Sequence, residues 1–271
     1  MSTRDESILP QRSVLTELRL VVRQVGYEQL SFWLNPVGAI FTVGFSLLFL
    51  LLLGASAGSS RISYLHNIKL VQYYVPGFIA YGVMAASFNS LAISLVIRRE
   101  NGLLKRLRLS PLPTWTLLAS ILLSTLLIAF VQIALMLAVG RWAFGVHLPA
   151  GASGIGALAV VLVVGGLSFA ALGIAMSTLI PNQQAAGPLT STVFFVLLFL
   201  SGLWFPLKSG STLAKISTFF PIRHFITAVF RTFSHPGTSA WSGNDLLVVL
   251  IWGLVAAAVA FRRFQWAPRR T

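Results

Sequence analysis

Six apolar runs, at about 36–55, 75–97, 115–140, 152–179, 189–206 and 245–261, dictate what this chain can become. A helix needs about 20 mainly apolar residues to cross roughly 30 Å of hydrocarbon, and each run meets or approaches that length. Hydrophobic residues make up 56% of the 271 positions, charged residues 10%, and the mean hydropathy is +0.83, which together exclude an ordinary soluble domain. The residues predict an all-α polytopic membrane protein. Trp33, Trp115, Trp142, Trp204, Trp241 and Trp266 fall near the ends of the runs, where interfacial anchors belong.

A formal charge of +14 would suggest nucleic acid in a soluble protein. Here the charges sit at the ends of apolar runs, so anionic lipid headgroups are the expected counterpart and no nucleic-acid partner is expected. The chain has no cysteine, and therefore no disulfide framework, thiolate metal site or cysteine nucleophile. Ala55-Ser56-Ala57 imitates a cleavage site after the first run. More than thirty residues precede that run, and it exceeds the ~7–15 residues of a signal core, so it reads as a retained span.

Before the first span, Val14, Leu18, Val21, Val22 and Val25 recur at helical spacing, with Arg12, Arg19 and Arg23 on the other face. Twenty-odd residues cannot bury a core alone, so this segment reads as an interfacial amphipathic helix. The expected division is residues 1–33 for the terminus with this helix and 34–271 for the six-span domain. If the amino terminus is cytoplasmic, thirteen of the twenty basic residues fall inside and seven outside. The positive-inside rule thus puts both termini in the cytoplasm.

Between the second and third runs, Arg98 to Pro113 holds five basic residues and one of only six acids. Leu103, Leu104 and Leu107 are expected on one side of a short helix there, which Pro111 and Pro113 stop. The uncharged stretch Pro181–Pro188 reads as a short, shallow loop. Residues 207–244 form the longest connection, apolar at Phe219, Phe220, Ile222, Phe225, Ile226, Val229 and Phe230 yet too short to span, which suggests re-entrant or interfacial helices broken at Pro206 and Pro221. The fourth run carries Gly165, Gly166, Ala170, Ala171, Gly173 and Ala175 at spacings suited to close helix approach.

Chemistry is sparse. No phosphate-cradling Gly-x-x-x-x-Gly-Lys-Ser/Thr motif occurs. His66, His147, His224 and His235 are scattered and read as solvated or interfacial, without metal-ligand spacing. After Glu28 the only acids are Glu100 and Asp245, both at membrane boundaries, so the mid-membrane carboxylate of an ion-driven transporter is missing. Energy for uphill transport must come from elsewhere. Asn89, Ser94, Gln132, Thr190, Ser191 and Thr192 are among the few polar groups within runs, expected to hydrogen-bond between helices.

Arg99-Glu100-Asn101-Gly102, followed by Leu104-Lys105-Arg106-Leu107-Arg108 and Ser110-Pro111-Leu112, resembles the acidic-x-glycine, basic-leucine and small-residue-proline sequence of the membrane subunits of type 2 ATP-binding cassette exporters. Ser201-Gly202-Leu203-Trp204-Phe205-Pro206 is similar to that family's segment at the end of span five, whereas Phe220-Pro221 stands where the family has asparagine-proline. The resemblance covers nearly the whole chain. It implies a cytoplasmic coupling helix between spans 2 and 3, re-entrant helices before span 6, and a dimeric permease in the bacterial inner membrane, paired with a second copy or a paralogue. It also implies that a separate ATPase subunit binds ATP and magnesium, that this chain holds no cofactor, and that Arg99, Glu100, Gly102, Lys105, Arg106 and Arg108 form the ATPase-coupling segment. The implied cargo is drug-like, lipid-linked or polysaccharide, and the direction outward. The competing readings are a lipid-modifying membrane enzyme, which would need converging acid, base or metal groups, and a non-transporting scaffold, which leaves the coupling pattern unexplained.

Overall fold

The computed structural model describes residues 14–58, 60–62, 68–104, 114–149, 151–204, 210–233 and 240–263. The amino-terminal helix α1 runs Val14–Trp33. Six helices long and apolar enough to cross a membrane follow: α2 (Pro36–Ala57), α3 (Leu70–Glu100), α4 (Thr114–Phe144), α5 (Gly151–Leu179), α6 (Gln183–Leu200) and, after two shorter helices, α9 (Gly243–Arg263). The shorter pair are α7 (Thr212–Ser217) and α8 (Pro221–Thr232). Among the described residues the only strands are Arg61–Ile62 and Ile68–Lys69, which pair antiparallel between α2 and α3. The protein is an all-α, multi-pass membrane protein.

Helix α3 is the hub. Most of it is buried, whereas α6 and α9 turn most of their surface outward. It packs against α2, α4, α5, α6 and α8. Its sequence explains this placement: Tyr74, Val75, Phe78, Ile79, Tyr81 and Met84 fill the space between neighbours on every side rather than along one stripe. A six-residue π-helical stretch, Ala85–Ser90, interrupts it, and α2 carries another at Ile40–Gly44. A Cβ on Gly173 of α5 would stand 2.8 and 2.9 Å from the carbonyl oxygens of Ser87 and Phe88. Only glycine lets α5 lie that close to the π turn.

The other small residues of α5 serve the same end. A Cβ on Gly165 would sit 2.0 Å from the ring of Phe225 on α8, and Gly253 of α9 fits directly over Ser168. Ala175, Ala256 and Ala260 continue that seam between α5 and α9. Helix α8 has 12 residues, a rise of about 18 Å. That is too short to cross, and its apolar face, Ile222, Phe225, Ile226 and Val229, is buried in the bundle.

Two boundaries differ from the sequence expectation. The fifth span is Gln183–Leu200 rather than 189–206, because the Asn182 side chain caps the helix by accepting from the Ala185 amide and Pro188 lies inside the helix near its start. Most of the stretch read as a loop is therefore helix, and Ser201–Trp204 turns back after it. Pro221 opens α8 at its first turn, where a missing N–H costs nothing. Pro206 lies outside the described residues.

Candidate functional site

The last turn of α3 holds Arg98 and Arg99, whose charges suit the negative end of the helix dipole. The helix stops because Gly102 adopts a left-handed φ of +70° and donates its amide to the Arg99 carbonyl at 3.0 Å. Glycine takes that conformation without the Cβ penalty other residues carry. Beyond the turn, Leu104 is 1% exposed, packed with Leu91, Leu95, Leu117 and Ile121, while Leu103 is 41% exposed. The two leucines thus do not share a face, contrary to the sequence expectation, because consecutive residues point about 100° apart on a helix. Lys105, Arg106, Leu107, Arg108, Pro111 and Pro113 lie outside the described residues.

Arg99, only 3% exposed, reaches inward. Its Nε donates to Glu100 Oε1 at 2.8 Å, and its terminal nitrogens donate to the carbonyls of Ser177 at 3.1 Å, Ile180 at 2.8 Å and Pro181 at 3.4 Å. Those carbonyls belong to the carboxyl end of α5 and the turn into α6, where backbone acceptors have no partner within the helix. One guanidinium thereby caps α5 from α3. Glu100 offsets its charge from the adjacent position.

Arg98 points the other way, to α1, with Nη1 on Glu28 Oε1 at 2.7 Å and Nη2 on Glu28 Oε2 at 2.5 Å. The paired geometry is the strong form of a charge-assisted hydrogen bond. Gln24 adds a bond to Glu28, and Gln29 donates to the Ser124 hydroxyl and carbonyl on α4. So α1 docks on the bundle through Val21 and Glu28, leaving Leu18, Val22 and Leu30 exposed beside Arg19 and Arg23. The valines and leucines expected to form one apolar face are split between bundle and surroundings.

One junction therefore joins α1, α3, α4, α5 and the start of α6. Glu28 and the carbonyl cap were not foreseeable as partners. The usable signal for Glu28 was an acid seven residues after Val21, on the same face of the helix as that buried valine.

At the opposite end, the Tyr73 hydroxyl donates to the Gly202 carbonyl at 2.7 Å, Leu203 is buried against Gly77, and Trp204 packs on Phe49 and Phe78. The end of α6 is thus tied to α2 and α3. Phe205-Pro206 lies outside the described residues. His224, read as solvated or interfacial, binds Asp245 through Nδ1 at 2.6 Å and donates from Nε2 to the Thr218 carbonyl at 2.8 Å, holding α8 to α9. Of the polar groups within spans, Gln132 reaches between helices to Ser46 at 2.6 Å, while Thr192 bonds back to Pro188 of its own helix. Asn89 Oδ1 and Thr190 Oγ1 are buried with no partner among the described residues.

Residues 59–262 match a family model described as ABC-2 family transporter protein. The chain is also similar to the probable multidrug ABC transporter permease YbhR of Escherichia coli K12, at 26% identity over 203 residues, which covers 73% of this chain and 54% of that protein. The protein of the same name from Escherichia coli O157:H7 matches equally. The chain spans about half the length of the curated relatives it matches. The family match takes in the α3, α5 and α6 side of the junction and, to within one residue, every span after the first, while α1 with Glu28 lies ahead of it.

Proposed function

From the premise that this chain belongs to the ABC-2 family of transporter proteins, we propose that it is the permease subunit of an ATP-driven exporter, with residues 99–108 as its ATPase-coupling segment. The observation that carries this reading is the double anchoring of Arg98 and Arg99, to Glu28 on one side and to the end of α5 on the other. ATP binding on a partner can bias a permease only if the two conformations differ in contact free energy with that partner. A segment that yields locally would absorb the push. Here its root is held by Leu104 in an apolar cluster, a fixed glycine turn and two arginines engaged with separate helices. Displacement is passed to α1, α5 and α6 together.

In this reading Glu100 and Gly102 shape the start of the coupling segment, and Lys105, Arg106 and Arg108 meet the ATPase or anionic lipid. ATP and magnesium are held by the partner, which supplies the hydrolytic chemistry. The path forms between two permeases, identical or paralogous, in a bacterial inner membrane with both termini cytoplasmic. The cargo class is hydrophobic, drug-like, lipid-linked or polysaccharide, supported by the apolar and aromatic lining of the spans and by the similarity to a probable multidrug permease.

The test is affinity purification of the tagged protein from its native membrane in mild detergent, with mass spectrometry of stoichiometric partners. A nucleotide-binding subunit is expected in the wild-type eluate. It is expected to be lost on reversing Lys105, Arg106 and Arg108 to glutamate, with membrane insertion unchanged. A triple variant that still assembles and transports would overturn the role assigned to the segment.

A further inference from the structure

Beneath α1 lies a half-open cavity of about 180 Å³, bounded by α1, the start of α2, α3 and α4. One water needs about 10–15 Å³ in this measure, so the space takes a larger polar group. Glu28, Ser31, Asn35, Ser90, Ser94 and Arg98 supply its polar lining, together with Ser124 and Thr125 of α4, whose hydroxyls are engaged by Gln29 and the Ile121 carbonyl. Serines elsewhere in the spans, such as Ser46, Ser120 and Ser177, return their hydroxyls to a carbonyl of their own helix. The hydroxyls of Ser31, Ser90 and Ser94 make no hydrogen bond among the described residues, and Ser90 and Ser94 are half-buried. Arg98 spends two of its five N–H groups on Glu28 and keeps three.

We propose that this cavity binds the headgroup of a phospholipid bearing a primary amine, its phosphate toward Arg98 and the serines of α3, its ammonium toward Glu28. Three observations select that chemistry. The wall holds one cation and one anion already neutralising each other, so a net-neutral zwitterion fits, whereas an anionic headgroup brings an uncompensated charge beside Glu28. The lining offers acceptors that reward an N–H donor, and a quaternary ammonium has none to give. Phe32 is the single aromatic in the wall, and trimethylammonium groups need a cage of several. The cavity sits under an amphipathic helix whose exposed apolar and arginine residues place it at headgroup depth. The inference concerns lipid binding alone and stands apart from the transport reading.

Native mass spectrometry of the delipidated, full-length protein in detergent tests it, with phosphatidylethanolamine, phosphatidylcholine and phosphatidylglycerol of identical acyl chains. Retention of one phosphatidylethanolamine, about tenfold over either competitor, is expected. Ser94→Leu, which fills the cavity, is expected to abolish the preference. The double variant Ser90→Ala/Ser94→Ala, which removes hydroxyls without adding bulk, is expected to cut it several-fold at an unchanged melting temperature. Equal retention of the three lipids, or a preference that survives the double variant, refutes the site. Binding of free phosphoethanolamine as tight as that of the lipid overturns the assignment to a membrane lipid.

Discussion

Arg99→Met removes the guanidinium while keeping a long unbranched side chain in the same space. The loss works out from its partners: the carbonyls of Ser177 and Ile180 lose their donor at the end of α5, and the Glu100 carboxylate, 17% exposed, is left without its cation. Breaking one side of a buried charge pair costs about 3–5 kcal/mol, and orphaned buried carbonyls about 1–3 kcal/mol each, but these terms overlap. A net cost of about 3–5 kcal/mol is expected, a fall of roughly 6–20 °C in melting temperature at about 2–4 °C per kcal/mol. Arg99→Lys keeps the charge as a single point donor and is expected to recover less than half of that loss. The assay is thermal unfolding of detergent-purified protein by tryptophan fluorescence. If Arg99→Met melts within 2 °C of wild type, or if lysine and arginine behave alike, the cap does not hold the junction.

Further outcomes follow from the same packing. Gly102→Ala forces a side chain into a left-handed turn at about 1–2 kcal/mol, visible as a lower melting temperature, and Gly102→Asn is milder. Gly165→Ala drives a Cβ into the Phe225 ring at 2.0 Å and costs about 1–3 kcal/mol, and Phe225→Leu in the same chain is expected to restore at least half of it. Gln132→Met loses a 2.6 Å bond to Ser46 but also relieves the unpartnered Oε1. Hydrogen bonds between membrane helices average about 0.6 kcal/mol, so its melting temperature is expected to move by no more than that of a ~1 kcal/mol change.

The six spans were legible because their signal is local: length and apolarity settle a crossing helix without knowledge of its neighbours. The small residues of α5 were legible for a related reason, since close helix approach needs them wherever the partner lies, and Gly165, Gly166 and Gly173 are all at such contacts. Boundaries failed where polar residues and proline mimicked a loop, as at Asn182–Pro188, although an asparagine cap and a proline close to a helix start are compatible with helix. The junction at α3 was only half legible. Its basic cluster drew attention, but Arg99 finds its carbonyls 78–82 positions away and Arg98 its carboxylate 70 away, separations that no periodicity encodes. The same holds for His224 and Asp245, whose pairing depends on how α8 folds back onto α9.

Because the chain has no cysteine, a single introduced cysteine reports one position. The most direct test of the coupling assignment places it at Lys105, or at Ser211 ahead of α7 as a control, and applies a short bifunctional cross-linker in native membranes. A nucleotide-binding subunit joined to position 105 and not to 211 is the predicted result. The same partner captured from 211, or none captured from 105 in membranes that actively transport, would contradict the account.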